Sequence, residues 1–457
     1  MMRRILWFRR DLRVEDNPLL SFEGEVLPIF IFDTNILERL NPNDRRVTFI
    51  FNAVHRLKLD LKERGLDLTL FFGKPIEVFE WLLTHAAYDE VCASGDYDSY
   101  ALERDRDISH VLPFNYLHDT YIFHPDEVLK NDGTPYLVFT PFYNRAKTVF
   151  SSEHMVHIHP VSQTLLAFDY EALHCIKQNN HTMLPMTLTS LGFEAQILTP
   201  SQMISPDEKL TLFDNKLANY THDRDFMALE GTSVLSSDLR FGTISIRAVL
   251  RWLTEQKKRG IDTEPFFRQL IFRDFYAMLL YHFPRLETDN FRYRFKGVEN
   301  KEYFEAFCTA RTGVPIIDAG IKELLETGEM HNRVRMIVGS YFTKNLLLPW
   351  QWGEQFFAKH LMDYDAASNI LSWQWSAGTG VDPQPYFRIF NPYIQSSKFD
   401  KEGMYTKKYL PQLHDVPPKI FADEESLVKG ISSHYPKPIV NHKESSKQAL
   451  EHFKTSL

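Results

Sequence analysis

The chain has 457 residues, 44% hydrophobic and 25% charged, with a net charge of −8, which allows two or three domains and excludes a nucleic-acid coat that binds by bulk charge. Three widely spaced cysteines, Cys92, Cys175 and Cys308, exclude a disulfide framework or a zinc ribbon, and no apolar run reaches membrane-spanning length. With no signal-peptide core at the N-terminus, the expectation is a cytoplasmic enzyme of a reducing compartment.

The first elements alternate. Arg4 to Phe8 reads as a strand, and Asp16-Asn17-Pro18-Leu19 as a helix start with proline in its first turn. Val26 to Phe32 is nearly all apolar, as a strand covered on both faces should be. Strands follow at Leu66–Phe72, Glu90–Ser94 and Phe114–Leu117. Helical spacing fills the gaps at Arg45–Arg64, Glu77–Ala87 and Ala101–Leu112. This alternation predicts a doubly wound parallel sheet, an α/β domain. No Gly-x-Gly-x-x-Gly follows the first strand, so a dinucleotide site is not expected there.

Residues 150–210 change character. His154, His157, His159, His174 and His181 are scattered among Ser, Thr, Asn and Pro, which reads as a long connection over the surface. Their spacing matches no metal-ligand pattern, and no metal is expected. From Asp214 onward the pattern is helical: Ile244–Arg259, Phe266–Tyr281, Tyr303–Ala310, Ile316–Glu326, Asn332–Leu347 and Glu354–Leu361 all carry apolar residues at three-four spacing.

The chemistry concentrates between His331 and Pro392. Asp363, Asp365 and Asn369 precede Trp373 and Trp375, and a Gly-rich turn leads to Tyr386-Phe387-Arg388. Carboxylates and an amide beside aromatic rings suit a planar heterocycle with polar edges. A Trp-rich core with helix-capping Asp residues is the plainer explanation of that stretch alone.

Four motifs in order alter the balance. Trp7-Phe8-Arg9-Arg10-Asp11-Leu12-Arg13 with Asp16-Asn17-Pro18-Leu19, Gly231-Thr232-Ser233-Val234-Leu235-Ser236, Met330-His331-Asn332-Arg333-Val334-Arg335-Met336 and the 363–392 stretch together resemble the DNA photolyase/cryptochrome family. The likeness is strongest to cyclobutane pyrimidine dimer photolyases of class I type. It implies an antenna domain over 1–130, an inter-domain connection over 131–210 and an all-α domain over 211–457 that holds FAD bent into a U.

The resemblance also implies roles. Tyr220 and the Thr232–Ser236 run (Thr232, Ser233, Val234, Leu235, Ser236) would meet the FAD pyrophosphate. Arg335, paired with Asp363, would lie near the isoalloxazine, and Asp365 would bind its polar edge. Asn369 would face flavin N5, where plant cryptochromes carry Asp. Asn332 and Met336 share one helix face beside the substrate cavity; photolyases of (6-4) photoproducts carry His where Asn332 stands. Arg224, Arg273, Arg333 and Arg388 match positions at the DNA-facing rim or the flavin phosphates. Trp373 and Trp350 resemble the inner and middle members of the electron chain, and Trp375 a wall that stacks on the lesion. The outer chain member would fall at Gly297, which carries no ring; either photoreduction ends at Trp350, or Trp352, Tyr341 or Tyr303 relays instead. Gln269 and Phe272 stand where many relatives have Glu and Trp.

The implied partner is UV-damaged DNA, bound by a monomer with its pyrimidine dimer flipped out of the duplex. The antenna stays open between methenyltetrahydrofolate, a deazaflavin, a flavin and nothing. Glu103 matches a folate-contacting carboxylate, but Leu102 replaces the Asn usual beside it.

Overall fold

The computed structural model describes residues 2–166, 187–431 and 434–455. His174, His181 and Cys175 lie outside the described residues. Within the described residues no helix is long and apolar enough to cross a membrane.

Strands β1 (Arg3–Phe8), β2 (Gly24–Asp33), β3 (Thr69–Gly73), β4 (Glu90–Ser94) and β5 (Phe114–Leu117) pair in parallel in the order β3-β2-β1-β4-β5. The helices Arg45–Glu63, Pro75–His85 and Ser99–Ser109 make the crossovers between the successive strands from β2 to β5. Ile5, Trp7, Leu27, Ile29, Phe71, Phe79 and Val91 build the core against the sheet. Five strands thus form where apolar runs predict them. The third starts three residues late, because Leu66 still bonds back to Leu61 and closes the preceding helix.

A sixth strand corrects the reading of 150–210 as a bare surface connection. β6 (Gln163–Leu165) pairs in parallel with Gly24–Val26 of β2, and Leu166 beyond it is buried. The described histidines of this segment make local contacts. His154 bonds Glu127 at 2.7 Å and closes a capping box with Ser151, and His157 packs edge-on to His159.

Two compact units emerge. One comprises Met1–Leu129, Asn144–Leu212 and Ser233–Tyr281; the other Lys130–Tyr143, Phe213–Thr232 and His282–Leu457. A buried ion cluster joins distant segments of the first unit. Asp16, in left-handed backbone, accepts from Ser245 Oγ at 2.6 Å, Arg247 at 2.9 Å, Arg251 at 2.7 Å and the Ile158 amide at 2.9 Å. Asp119 receives Arg13 at 2.6 Å and Arg247 at 2.7 Å. The Ile246–Lys258 helix is therefore tied to the end of the sheet.

Burial alone would raise the Asp16 carboxyl, but Ser245, Arg247 and the Ile158 amide outweigh it and hold the pKa at about 2. Folding thus favours the ionised form. This stabilisation is complete above the ordinary carboxylate range and fades as pH falls through about 2. Urea titrations of wild type and Asp16→Asn should converge by about 2 kcal/mol between pH 5 and pH 2. Parallel curves would mean that Asp16 does not titrate as assigned.

In the second unit the helices Lys301–Cys308, Pro315–Thr327, Asn332–Ser340, Trp350–His360 and Ala366–Ala377 surround a core that includes Phe307, Phe342, Trp350, Phe357 and Trp373. The helix expected over Asn332–Leu347 stops at Ser340 and widens into a π turn over Tyr341–Asn345. Lys344 and Asn345 are buried in that turn, and Lys344 Nζ donates to the Arg388 carbonyl at 2.7 Å. Such turns accommodate groups that a regular helix would misdirect.

Candidate active site

In the second unit the Ala366–Ala377 helix carries the organising residues. Asp365 caps it, accepting from Ser368 N at 3.0 Å. Arg335, one turn into its own helix, donates to both Asp363 oxygens at 3.1 and 3.0 Å and to the Met330 carbonyl at 2.8 Å. Their side chains keep 30% and 14% exposure, so the pair is half-open rather than sealed.

Asn369 is buried, and its amide nitrogen donates to Glu354 Oε1 at 3.0 Å and to the Glu354 carbonyl at 3.1 Å. Tyr364 O–H reaches the same Oε1 at 3.3 Å. Burial raises the Glu354 carboxyl, while the Asn369 and Tyr364 hydrogen bonds pull it back. With both amide protons committed, Asn369 Oδ1 is left as an acceptor, the network fixing which way the amide faces. Glu354 is the residue that sequence reasoning missed. A glutamate in an amphipathic helix reads as solvated, and nothing in its spacing points to an amide on another helix.

Trp373 is buried, edge-on to Phe342 and Phe357. Trp350 is buried with its indole N–H on Asn290 Oδ1 at 2.8 Å. Trp375 is half-buried. Asn332 is exposed and its amide leans on Met336 Sδ at 3.8 Å. His331 caps the same helix, and burial lowers its imidazole to about 4, so it stays neutral at physiological pH.

The arginines divide by what holds them. Arg388 is exposed and has no ion pair among the described residues. Arg224 lies over the Tyr220 ring at 5.5 Å. Arg333 pairs with Asp225 at 2.8 Å and covers the Phe399 ring at 4.4 Å.

In the first unit, Arg273 does not present a free guanidinium. It donates to the carbonyls of Thr120 at 2.6 Å and Leu239 at 2.9 Å and covers the Tyr121 ring at 4.4 Å. It joins three segments of its own unit. Beside it, Asp274 is fully buried and burial lifts its carboxyl to about 7. Gln269 and Phe272 are half-buried, with Phe272 edge-on to Tyr276 at 5.0 Å.

Val234 takes φ +50°, a strained value for a β-branched residue. Around it the hydroxyls of Thr232, Ser233 and Ser236 have no protein partner among the described residues. Unpaired hydroxyls in a strained turn supply donors for an anion. The second unit supplies an oriented acceptor at Asn369 and a half-open cation at Arg335. By donor chemistry each set, taken in its own unit, suits a part of the FAD that the resemblance implies.

At the carboxyl ends of β1 and β4, where the strand order reverses, a doubly wound sheet usually offers a ligand crevice. Here the guanidinium groups of Arg9 and Arg104 lie 4.7 and 4.9 Å from the centre of the Trp7 ring, and both arginines reach Asp105. Glu103 and Leu102 are exposed on the neighbouring helix.

The sequence matches the family described as DNA photolyase over residues 4–163, and the one described as the FAD binding domain of DNA photolyase over residues 266–455. A deoxyribodipyrimidine photo-lyase of Alkalihalophilus pseudofirmus is 32% identical, with 99% of this chain and 98% of that protein covered. A class III photolyase from Agrobacterium tumefaciens has a similar structure, with TM-score 0.85, 29% identity and coverage of 100% and 98% of the two chains. An archaeal photolyase from Sulfolobus tokodaii, solved with two FAD molecules, gives TM-score 0.79 at 32% identity, covering 99% of this chain and all of that one.

Proposed function

The chain belongs to the DNA photolyase family, and from that premise we propose that it is a deoxyribodipyrimidine photo-lyase repairing cyclobutane pyrimidine dimers in DNA, acting as a cytoplasmic monomer. FAD, when bound and reduced, supplies on excitation by blue light the electron that opens the cyclobutane ring. The protein's own residues hold, orient and exclude.

The hydroxyls of Thr232, Ser233 and Ser236 bind the cofactor's pyrophosphate. Arg335 brings a positive charge that Asp363 offsets, which limits the penalty of partial burial. Asp365 meets the polar edge of the ring. Asn369 Oδ1 accepts a hydrogen bond from a proton-bearing nitrogen of the ring. The fixed amide of Asn369 is the observation that carries this reading: Glu354 leaves it only an acceptor to offer, and an acceptor suits N5–H of the reduced ring. Arg388 and Arg224 meet phosphates and fix register without reading sequence. Asn332, Met336 and Trp375 line the lesion, and the polar, unprotonatable Asn332 favours the cyclobutane dimer over the (6-4) product.

Gln269 and Phe272 are the observation that favours a second reading, a blue-light receptor that repairs nothing. Gln keeps donor and acceptor capacity but brings no charge, and Phe stacks with less area than Trp. Two measurements separate the readings. Reduced, purified protein illuminated with a dimer-bearing oligonucleotide should return intact pyrimidines by chromatography; dimer left unchanged while reduced flavin is verified spectroscopically selects the receptor. Gln269→Glu should tighten lesion binding or raise the quantum yield a few-fold, worth about 1 kcal/mol, as a charge-assisted bond does. No change in either would dismiss the role given to position 269.

A further inference from the structure

We infer that Lys344 is a positioning residue for DNA binding: from beneath the surface it fixes the backbone of Arg388, so that this guanidinium stands ready for a DNA phosphate; the inference rests on the role given to Arg388 above. All the residues concerned belong to the second unit. Lys344 is fully buried in the π turn after the Asn332–Ser340 helix, and its Nζ donates to the Arg388 carbonyl at 2.7 Å. At the end of that helix the buried Ser340 Oγ accepts from the Phe390 amide at 3.1 Å. Residues four apart in a helix are neighbours on its surface, so one stretch grips the 388–390 segment at two points. The Arg388 amide is held as well, donating to the Pro385 carbonyl at 2.9 Å. Both backbone polar groups of Arg388 are therefore fixed, while its side chain is exposed and makes no ion pair among the described residues.

Stability does not explain a lysine at this place. Lys344 makes no ion pair among the described residues. Burial, and after it the nearby Arg388 charge, pull its ammonium down to about 7. Both causes disfavour the charge, so a well-packed apolar side chain would serve the core better. What lysine supplies is reach. Its four-carbon stem carries an N–H donor to a surface segment from a turn whose Tyr341 and Phe342 sit in the core. The amine keeps N–H groups to donate with or without its extra proton. A phosphate contact made from a loose loop loses affinity to the ordering of that loop. Anchoring the backbone of Arg388 beforehand removes part of that cost.

The test uses the flavin-loaded protein in the dark and a duplex oligonucleotide carrying one cyclobutane dimer, with binding read by fluorescence anisotropy over a range of salt. Lys344→Met should weaken binding about fivefold and make the salt dependence shallower by about one phosphate contact. Undamaged duplex should weaken by the same factor, because phosphate contacts do not read the bases. Arg388→Ala should behave alike, and the double variant should bind no more weakly than Arg388→Ala alone. Lys344→Met should melt at the wild-type temperature or above, since it removes a buried unpaired charge. A residue that only supported the core would lower the melting temperature and leave the salt slope alone.

Wild-type affinity and slope in Lys344→Met, beside a weakened Arg388→Ala, overturn the proposal, and so do losses that multiply in the double variant. Arg388→Ala that binds like wild type, or wild type that binds neither duplex, ends the role given to Arg388 and this inference with it. If Lys344→Met melts lower, Ser340→Ala decides. It should weaken binding about twofold at an unchanged melting temperature, and wild-type affinity in that variant overturns the proposal.

Discussion

Gly297→Trp is expected to lose about 3 kcal/mol of stability and to gain no photoreduction, although it restores a ring where the resemblance puts the outer electron carrier. The obstacle is backbone. A Cβ at 297 would stand 2.5 Å from Pro349 Cα and 2.6 Å from the Leu348 carbonyl carbon. Neither neighbour can yield easily. Val298 N donates to the Leu347 carbonyl at 2.6 Å, which holds the two segments together, and Leu347 already sits at φ +55°. Pro349 has its own φ fixed by its ring. Gly297→Ala should therefore carry most of the loss, because the clash begins at the first side-chain atom. Urea midpoints measure the stability, and flavin bleaching under blue light measures the relay. An Ala variant within about 0.5 kcal/mol of wild type would mean that the segment moves aside freely.

The same position illustrates what a sequence can and cannot yield. That Gly297 lacks a ring is legible at once; that the main chain of Pro349 has taken its place is not. The five main strands were legible because a sheet covered on both faces demands apolar runs, and Val26 to Phe32 is such a run. β6 was not, because Gln163-Thr164-Leu165 is too short and too polar to announce itself. The helix His442–Lys454 does carry a signal, since Asn441 caps it by accepting from the Glu444 amide at 3.0 Å, and its Phe453 stacks on Phe295 at 4.0 Å. In the candidate site, Arg335 and Asp363 were paired in advance by resemblance, and they do pair. Glu354 and the carbonyl partners of Arg273 were invisible, since a side chain's partner across the fold leaves no periodicity. The residues that touch a ligand repeat as motifs; those that aim them are set by packing.

Asp318→Ala is expected to be the most damaging single change in the helical unit, at about 4 kcal/mol or more, with loss of bound flavin following from the loss of structure. Asp318 is fully buried and accepts four hydrogen bonds: Thr312 N at 2.9 Å, Thr312 Oγ1 at 2.7 Å, Gly313 N at 3.0 Å and Tyr435 O–H at 2.6 Å. These join the turn before the Pro315–Thr327 helix to the chain near Ile439, whose amide bonds the Thr312 carbonyl at 3.0 Å. Alanine leaves all four donors buried, each with its own desolvation penalty. Asparagine keeps one acceptor and should lose less. The pH dependence separates charge from geometry. Burial raises the Asp318 carboxyl to about 6, against the lowering effect of Tyr435 and Thr312. A carboxyl with a raised folded pKa stabilises fully below its unfolded pKa, and that contribution disappears as pH rises through about 6. Asparagine does not titrate. The deficit of Asp318→Asn, from urea midpoints, should therefore be larger at pH 5 than at pH 8 by about 1 kcal/mol. A deficit that instead grows with pH would mean that the four donors hold a carboxylate ionised in the native state, and that their hydrogen bonds, not burial, decide the charge at this site.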